Sequence, residues 1–223
     1  MSDIFTSFKN QALLSTALTH RSALNENLSD SSEHNERLEF LGDAVLELVT
    51  TEFLFAKLSH EPEGQLTAYR SALVRTETLA DLATQLALGD KLFMSRGEEA
   101  TGGRQNTSIL ADSMEALLGA LYLDQGYQVV KNFLTKNLFT KFEQIKAEKL
   151  YKDAKSLLQE SVQAKGLPAP VYEVISAVGP DHDKTFTIQV SVDGQVVAKG
   201  VGRNKQSAQQ AAAREALPKW LKE

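Results

Sequence analysis

Two pairs of carboxylates stand at helical spacing in the first two-thirds of the chain. Glu39 and Asp43 are four residues apart in the segment NERLEFLGDAVLEL (35–48). Asp112 and Glu115 are three residues apart in the segment SILADSMEALLGALYL. Because residues three or four positions apart project from the same side of a helix, each pair would present its two acids together.

Carboxylates in such apolar segments repel one another, and they are costly to bury unless a positive charge neutralises them. Oxygen ligands suit Mg²⁺ or Mn²⁺, whereas zinc prefers histidine and cysteine. The chain has four histidines and no cysteine. A metal held by carboxylates binds phosphate and makes hydroxide from bound water. The two pairs therefore predict a magnesium site that acts on phosphate esters.

A competing interpretation assigns these acids to solvent-exposed faces of amphipathic helices. It is the better account of Glu47, and it stays open for Glu36. It fits Asp112 and Glu115 poorly, because their segment is apolar on nearly every side and such helices are normally buried. We therefore expect these two acids to be buried or to lie at the floor of a cleft. Spacing alone does not decide between the two interpretations.

The segments that carry the acids belong to a run of helices. Apolar residues recur at three- and four-residue spacing in five stretches, which are 13–20, 37–58, 66–88, 108–126 and 127–148. No alternating pattern typical of a strand occurs before residue 170. The first part of the chain is therefore predicted to be an all-α domain.

The pattern changes after residue 150. A helix over 151–168 precedes three strands, which are predicted at 171–178, 184–192 and 195–202. Asp193-Gly194 indicates a two-residue hairpin, and an alanine-rich helix closes the chain. The tail is thus a small α+β domain of order α-β-β-β-α. We place the first domain at residues 1–148, a linker at 149–152 and the second domain at 153–222.

Charge also divides the chain in two. The net charge is −5 overall, but residues 1–150 carry 14 Lys and Arg against 21 Asp and Glu, a net charge of −7. The remaining residues carry 10 against 8, a net charge of +2. The absence of cysteine excludes disulfides and suits a reducing compartment. With no visible secretory signal and no apolar run long enough to span a membrane, we expect a cytoplasmic protein without a membrane partner.

The segment NERLEFLGDAVLEL is similar to the signature segment of bacterial ribonuclease III. Further blocks resemble that family in the same order, namely HRSA, EGQLTAYRSALVRTETLA, RGEEATGG and ILADSMEALLGALYLD. The tail resembles the family's double-stranded RNA-binding domain through DAKSLLQE, GPDHDKTF and AQQAAAREAL. The resemblance covers essentially the whole chain.

The resemblance implies an all-α catalytic domain that forms a homodimer. The family's Mg²⁺ ligands fall on Glu39, Asp43, Asp112 and Glu115, of which Asp43 and Glu115 are expected to be catalytic. Two auxiliary acids near the cleavage centre fall on Glu36 and Glu63. Phe40 matches an aromatic residue that inserts into the partner subunit, although ordinary core packing is an alternative for it.

The implied reaction is the Mg²⁺-dependent hydrolysis of phosphodiesters in double-stranded RNA, with Mn²⁺ as a substitute. It leaves 5′-phosphates and 3′-hydroxyls on staggered ends, and it needs no side-chain nucleophile and no small-molecule cofactor. The expected substrates are ribosomal RNA precursors and other structured transcripts.

The tail is expected to contact RNA through neutral side chains and a few cations, because A-form RNA is recognised through its 2′-hydroxyls and phosphates. The residues expected to make these contacts are Ser156, Gln159, Glu160, Gln163, His182 and Lys205. The chain departs from the family at the start of the last helix. Gln206 stands where a second lysine is usual, which predicts the loss of one phosphate contact.

Two other functions compete with the nuclease. The first is a double-stranded RNA-binding scaffold built on an inactive nuclease domain, but intact acids at all four metal positions argue against it. The second is a metal-dependent phosphohydrolase that acts on small molecules or DNA. An RNA-binding tail would serve no purpose in such an enzyme.

Overall fold

The computed structural model describes residues 4–26, 29, 31–180 and 184–220. The chain forms two compact units, Met1–Tyr151 and Lys152–Glu223. The division falls within the stretch 149–152 that the sequence assigns to a linker. Within the described ranges, none of the helices has the length and apolar character that crossing a membrane requires.

The first unit is helical, which confirms the prediction of an all-α domain. Its α-helices are α1 (Gln11–Ala17), α2 (Glu36–Lys57), α3 (Glu63–Val74), α4 (Thr76–Gln85), α5 (Arg96–Ala100), α6 (Thr107–Gln125), α7 (Tyr127–Asn137) and α8 (Phe142–Ala147). Short 3-10 turns join several of them, and one parallel bridge pairs Thr19 with Phe93.

Two stretches that the sequence predicts as single helices are each divided in the structure. Arg75 adopts an extended conformation (φ −63°, ψ 154°) between α3 and α4. A 3-10 turn after Leu138 separates α7 from α8. The prediction of continuous helices was wrong because neither break is marked by glycine or proline. The apolar periodicity also runs across the first break, since Leu73 and Leu79 are both fully buried in the same core.

Helix α6 lies at the centre of this unit and packs against α1, α2, α4 and α7. Its crossing with α2 is unusually close. A Cβ atom added to Gly42 would lie 1.8 Å from the carbonyl oxygen of Glu115, and one added to Gly119 would lie 2.2 Å from that of Leu38. The two helices therefore touch backbone to backbone, and this contact brings the two acid-bearing segments together.

The second unit has the predicted order of a helix, three strands and a helix. Its elements are α9 (Ala154–Gln163), β1 (Val171–Val178), β2 (Thr185–Val192), β3 (Gln195–Gly202) and α10 (Lys205–Ala216). The strands form an antiparallel sheet in the order β1-β2-β3. Asp193 (φ 49°) and Gly194 (φ 76°) are both left-handed, as the predicted two-residue hairpin requires.

The two helices of this unit share one apolar core with the sheet. Leu158 and Val162 of α9 lie in it with Val190 of β2 and Ala212 of α10. At Gly200 of β3 an added Cβ would lie 2.0 Å from the backbone nitrogen of Ala212. Helix α10 therefore rests directly on β3.

Candidate active site

The two acid-bearing helices begin differently. The side chain of Asn106 caps α6, because it accepts hydrogen bonds from the backbone N–H groups of Ser108 and Ile109, at 3.0 and 3.3 Å. Helix α2 begins without a side-chain cap. Its first turn is closed by the carbonyl of Asn35, which accepts from the backbone N–H groups of Leu38 and Glu39, each at 2.9 Å.

Glu115 occupies the most unusual electrostatic position of the site. Its side chain is half-buried on α6. Burial, followed by repulsion from Asp43, Asp112, Glu39 and Glu47, raises the pKa of Glu115 to about 8. Without a compensating cation, this carboxyl group holds its proton at neutral pH.

The other acids of the group are also close neighbours. Burial and then the charges of Asp112, Glu36 and Asp43 raise the pKa of Glu39. Burial raises the pKa of Asp112 as well, while the nearby His20 lowers it in part. In the structure, therefore, acids of α2 and α6 lie close enough to influence one another's pKa.

The sequence predicts that Asp112 and Glu115 are buried or lie at the floor of a cleft, and the two acids have different surroundings in the structure. Glu115 is half-buried, but Asp112 is exposed. The reason is position along α6: Asp112 lies in the second turn, where the helix borders an open cavity, whereas Glu115 lies beside the crossing with α2. Because apolar residues occur on nearly every side of α6, its sequence does not indicate that the helix borders a cavity at Asp112.

The cavity beside the acids has a volume of about 900 Å³. Glu36, Glu39 and Asp112 line it from the acidic side. The other residues that line it include His20, Arg21, Ser22, His34, Asn106 and Ser108. Ser113 also borders it, and its Oγ is buried without a hydrogen-bond partner. Acidic and basic groups therefore face a common space large enough for part of a ligand.

The donor chemistry of the group fits a hard divalent cation, since it offers carboxylate oxygens and few nitrogens. The elevated pKa of Glu115 also indicates an excess of negative charge that a cation would relieve. In the described part of the chain, no three acidic or histidine side chains converge closely enough to form a metal cage. The two observations agree, because Coulomb repulsion acts over longer distances than metal ligation.

Glu47 and Glu63 differ from these four acids in the residues that they contact. Glu47 forms an ion pair with Arg70 at 2.8 Å, which fits its assignment to a solvent-exposed face. Glu63 begins α3 and is exposed, and it lines a separate hollow of about 450 Å³ together with Phe55 and Arg70. The chain does not bring Glu63 together with the four acids of α2 and α6.

Phe40 projects from α2 with 81% of its surface exposed, so it is not part of the core of this chain. It borders a hollow of about 640 Å³ that is lined in part by Leu13, Leu41 and Leu123. Leu48 and Phe55 of the same helix are exposed as well. Exposed apolar side chains of this size commonly mark an interaction surface.

The side chains expected to contact RNA are exposed or partly exposed where the structure describes them. This group comprises Ser156, Gln159, Glu160 and Gln163 on α9 and Lys205 on α10. Ser156 donates to Asp153 at 2.6 Å, and Glu160 forms an ion pair with Lys152. His182 lies outside the described residues. The four positions on α9 share one face, opposite the buried Leu158 and Val162.

Sequence reasoning missed two kinds of residue at this site. It did not identify the crossing of Gly42 and Gly119, although glycine inside an apolar helical pattern is a known sign of close backbone approach. It also assigned no role to His20, which belongs to the HRSA block and borders the cavity. None of these three residues stands in a spacing pattern that indicates what it contacts in the fold.

Comparison with known proteins places both units in families. A model described as ribonuclease-III-like matches residues 10–142, and a double-stranded RNA binding motif matches residues 154–219. Ribonuclease 3 of Streptococcus gordonii is 47% identical over 212 residues, covering 95% of this chain and 91% of that protein. Ribonuclease 3 of Bdellovibrio bacteriovorus is 44% identical, covering 97% and 92%.

Solved structures agree with these matches for the first unit. The nuclease domain of ribonuclease III from Campylobacter jejuni is similar with a TM-score of 0.57 and 41% identity, covering 64% of this chain and 98% of that one. A second structure of that domain has a TM-score of 0.56 and 43% identity, covering 62% and 91%. With both domains in order and close relatives along nearly its whole length, the chain belongs to the ribonuclease III family of metal-dependent endoribonucleases that cut double-stranded RNA.

Proposed function

We propose that this protein hydrolyses the phosphodiesters of double-stranded RNA with Mg²⁺, or Mn²⁺ in its place, held by Glu39, Asp43, Asp112 and Glu115. The observation that carries the proposal is the backbone contact of α2 and α6 at Gly42 and Gly119, which brings together the acid pairs of a chain that belongs to the ribonuclease III family. Burial and the neighbouring acids there raise the pKa of Glu115 to about 8. A carboxyl group so destabilised in its charged form is favoured as a cation ligand, because the cation removes the cause of the shift.

The residues of the chain have separate roles in this reaction. The backbone contact of Gly42 and Gly119 holds the two acid pairs on adjoining helix faces. Asp43 and Glu115 are the carboxylates assigned to catalysis, and Glu115 would have to be deprotonated to act as a ligand. A cation held by the four acids would offset their charge and would supply an activated water for attack on the phosphodiester. The products carry 5′-phosphates and 3′-hydroxyls on staggered ends.

Binding of RNA is assigned mainly to the second unit. The exposed face of α9 presents Ser156, Gln159 and Gln163, which are neutral groups suited to the 2′-hydroxyls of a minor groove. Glu160 lies on the same face, and Lys205, which begins α10, is assigned a contact with phosphate. Ribosomal RNA precursors and other structured transcripts are the proposed substrates.

The active enzyme is proposed to be a homodimer. The similar nuclease domain from Campylobacter jejuni has a structurally flexible region that is involved in dimer formation of that protein. In the present chain, Phe40, Leu48 and Phe55 give α2 an exposed apolar surface that a second copy would cover. Glu36 and Glu63 are assigned auxiliary roles near the cleavage centre of this dimer.

A cleavage assay on long double-stranded RNA tests the proposal. Wild type and a Glu115→Gln variant are each incubated with Mg²⁺ and with a chelator, and the products are separated on a gel. We expect wild type to cut only with the metal and to spare single strands and DNA. The variant is expected to bind RNA without cutting it, because the amide has lost the negative charge that holds the cation.

The same assay separates the enzyme from the RNA-binding scaffold. If wild type shifts double-stranded RNA in a binding gel but never cuts it with Mg²⁺ or Mn²⁺, the protein is a scaffold. Cleavage of DNA at a similar rate would instead support a general phosphohydrolase.

A further inference from the structure

The sheet of the second unit has an inner and an outward face. Val190 and Val192 of β2 lie in the core that the sheet shares with α9 and α10. Side chains alternate between the two faces along a strand, so Gln189 and Ser191 point away from that core. Because both helices share the core of the inner face, neither of them covers the outward one.

Four valines on the edge strands share this outward face. Each pairs across the ladder with a residue of β2 that points away from the core, and residues paired directly across a ladder lie on one face. Each of them is more than half exposed. A single exposed valine is ordinary, but several on one sheet face mark an interaction surface. The four are Val171, Val178, Val196 and Val201.

Two opposite charges lie on the same face, one on each edge strand. Gln189 of β2 pairs with Glu173 of β1 and with Lys199 of β3, so the three residues form one row across the sheet. The amide of Gln189 donates to the carboxylate of Glu173 at 2.9 Å. Glu173 and Lys199 are both exposed. The face therefore has an acidic edge and a basic edge at the same level.

A second copy of this face is complementary to the first. When two sheets pack face to face about a two-fold axis parallel to the strands, β1 of one copy lies over β3 of the other. The register then places Glu173 opposite the partner's Lys199. It also places Val171 opposite the partner's Val196, since both are level with Ser191. A rotation that placed β1 over β1 would instead bring like charges together.

We propose that this outward face is a docking surface for the same face of a second copy, with Glu173 paired to the partner's Lys199 and Val171 packed on the partner's Val196. The contact is separate from the proposed catalytic homodimer, which uses α2 of the first unit. Strand spacing and rise give the face dimensions of about 14 by 25 Å. This is small for a stable interface, so the contact is weak and its detection requires trapping.

Disulfide trapping tests the contact in the full-length chain, which has no native cysteine. In a Val171→Cys/Val196→Cys variant the two positions of one chain lie two strand spacings apart, about 10 Å. A disulfide needs Cα atoms within about 7 Å, so a bond between these positions must join two copies. After mild oxidation, a denaturing gel without reductant measures the cross-linked fraction. Mass spectrometry of its peptides identifies the bonded positions.

A Val171→Cys/Val201→Cys variant is the matched control. It keeps two exposed positions of the same face, but the proposed packing does not bring them together. A Ser176→Cys/Val201→Cys variant is a second test pair, because both positions are level with Thr187. We expect both test pairs to cross-link at least about fivefold more than the control. Thermal unfolding verifies that each variant is folded.

Charge reversal tests the pairing of Glu173 with the partner's Lys199. In the Val171→Cys/Val196→Cys variant, either Glu173→Lys or Lys199→Glu alone places like charges opposite each other. We expect each to lower the cross-linked fraction by about threefold or more, since the contact contains two such pairs. The two reversals combined restore opposite charges, and the cross-linked fraction should recover. Binding of double-stranded RNA is measured for each variant in the presence of a chelator.

Test pairs that cross-link no more than the control would overturn the inference. A cross-linked fraction that single charge reversal leaves unchanged, or that the combined reversal does not restore, would also overturn it. Bonds that join position 171 to 171 would show that the copies pack in another orientation and contradict the proposed pairing. If Lys199→Glu weakens RNA binding and the test pairs do not cross-link, the face binds RNA and not a second copy.

Discussion

At the scale of single residues, the site depends on a carboxyl group that is poorly suited to carry its charge. Glu115 is surrounded by acids and half-buried, so its proton is lost only near pH 8 unless a cation is present. A solvent-exposed glutamate would bind a cation with less gain, because water already stabilises its charge. The burial and charge repulsion that disfavour the carboxylate in the metal-free site therefore favour the binding of a cation.

The raised pKa of Glu115 predicts that the effect of Glu115→Gln on thermal stability depends on pH. In the metal-free folded chain Glu115 keeps its proton up to about pH 8, whereas its ordinary pKa is 4.5. The unfolded chain therefore binds fewer protons between these values, and the stability of wild type falls as the pH rises through them. The Glu115→Gln variant has no carboxyl group at this position, so its stability does not fall for this reason. We expect its gain in Tm over wild type to be larger at alkaline than at mildly acidic pH by about 2–4 °C.

Scanning calorimetry in the presence of a chelator measures this difference. Glu77→Gln on α4 is the matched control, because Glu77 is an exposed glutamate whose removal should give no comparable pH dependence. Adding Mg²⁺ should stabilise wild type and reduce the gap, since a ligand that binds the folded state raises Tm. A gain in Tm that is the same at both pH values would contradict the prediction.

At the scale of elements, sequence predicted what depends on local patterns. The bounds of β1 and β3 agree with the prediction, because alternation and the Asp193-Gly194 turn are read within a few residues. The two acid-bearing helices were also identified. The break at Arg75 and the crossing of Gly42 with Gly119 were not, because they depend on contacts between distant segments. Spacing along the chain suggests that the acids within each helix share a face. The proximity of the acids of α2 to those of α6 is explained by the crossing at Gly42 and Gly119.

The crossing predicts a large effect of Gly119→Ala. The added Cβ would lie 2.2 Å from the carbonyl oxygen of Leu38 and 3.0 Å from the nitrogen of Gly42. Since these are backbone atoms, no rotamer change relieves the clash and α2 must move away from α6. We expect a loss of about 3 kcal/mol or more in the free energy of unfolding. Denaturant titration measures this loss.

Gly64→Ala is the control for this variant. Gly64 lies in α3, and a Cβ added there meets nothing within 4 Å, so alanine should stabilise the protein slightly. Gly119→Ala should also reduce cleavage at temperatures where it remains folded, because the acids of α2 move relative to those of α6. An alanine at position 119 that costs no more stability than the one at position 64 would show that the helices do not touch as described.

The start of α10 predicts how affinity responds to salt. Lys205 and Gln206 are both exposed in the first turn of that helix, after the capping box of Asn204 and Ser207. Each phosphate contact made by a cation steepens the dependence of log K on log salt by about 0.7–0.9. Gln206→Lys should therefore tighten RNA binding and steepen this slope by about one contact, and Lys205→Gln should flatten it by as much. Filter binding over a range of salt concentrations measures the slopes, and unchanged slopes in both variants would remove α10 from the RNA interface.

At the scale of the whole molecule, the chain consists of two units of opposite net charge. The first unit has a net charge of −7, so it repels RNA until its acids are neutralised, whereas the second has a net charge of +2. The acids proposed to be catalytic all lie in the first unit, and that unit buries its own core. The second unit should therefore contribute affinity and not chemistry.

A chain that ends at Tyr151 tests this division. Tyr151 is retained because its ring contacts that of Tyr69, with centroids 4.4 Å apart, and because the first unit ends there. We expect this shortened chain to cut double-stranded RNA at low salt with Mg²⁺ and to lose most activity at physiological salt, since its remaining phosphate contacts are screened. Full-length protein should stay active in both conditions, and the products of the two chains should have the same ends. A shortened chain that is folded by circular dichroism but inactive at low salt would mean that the second unit takes part in the reaction itself.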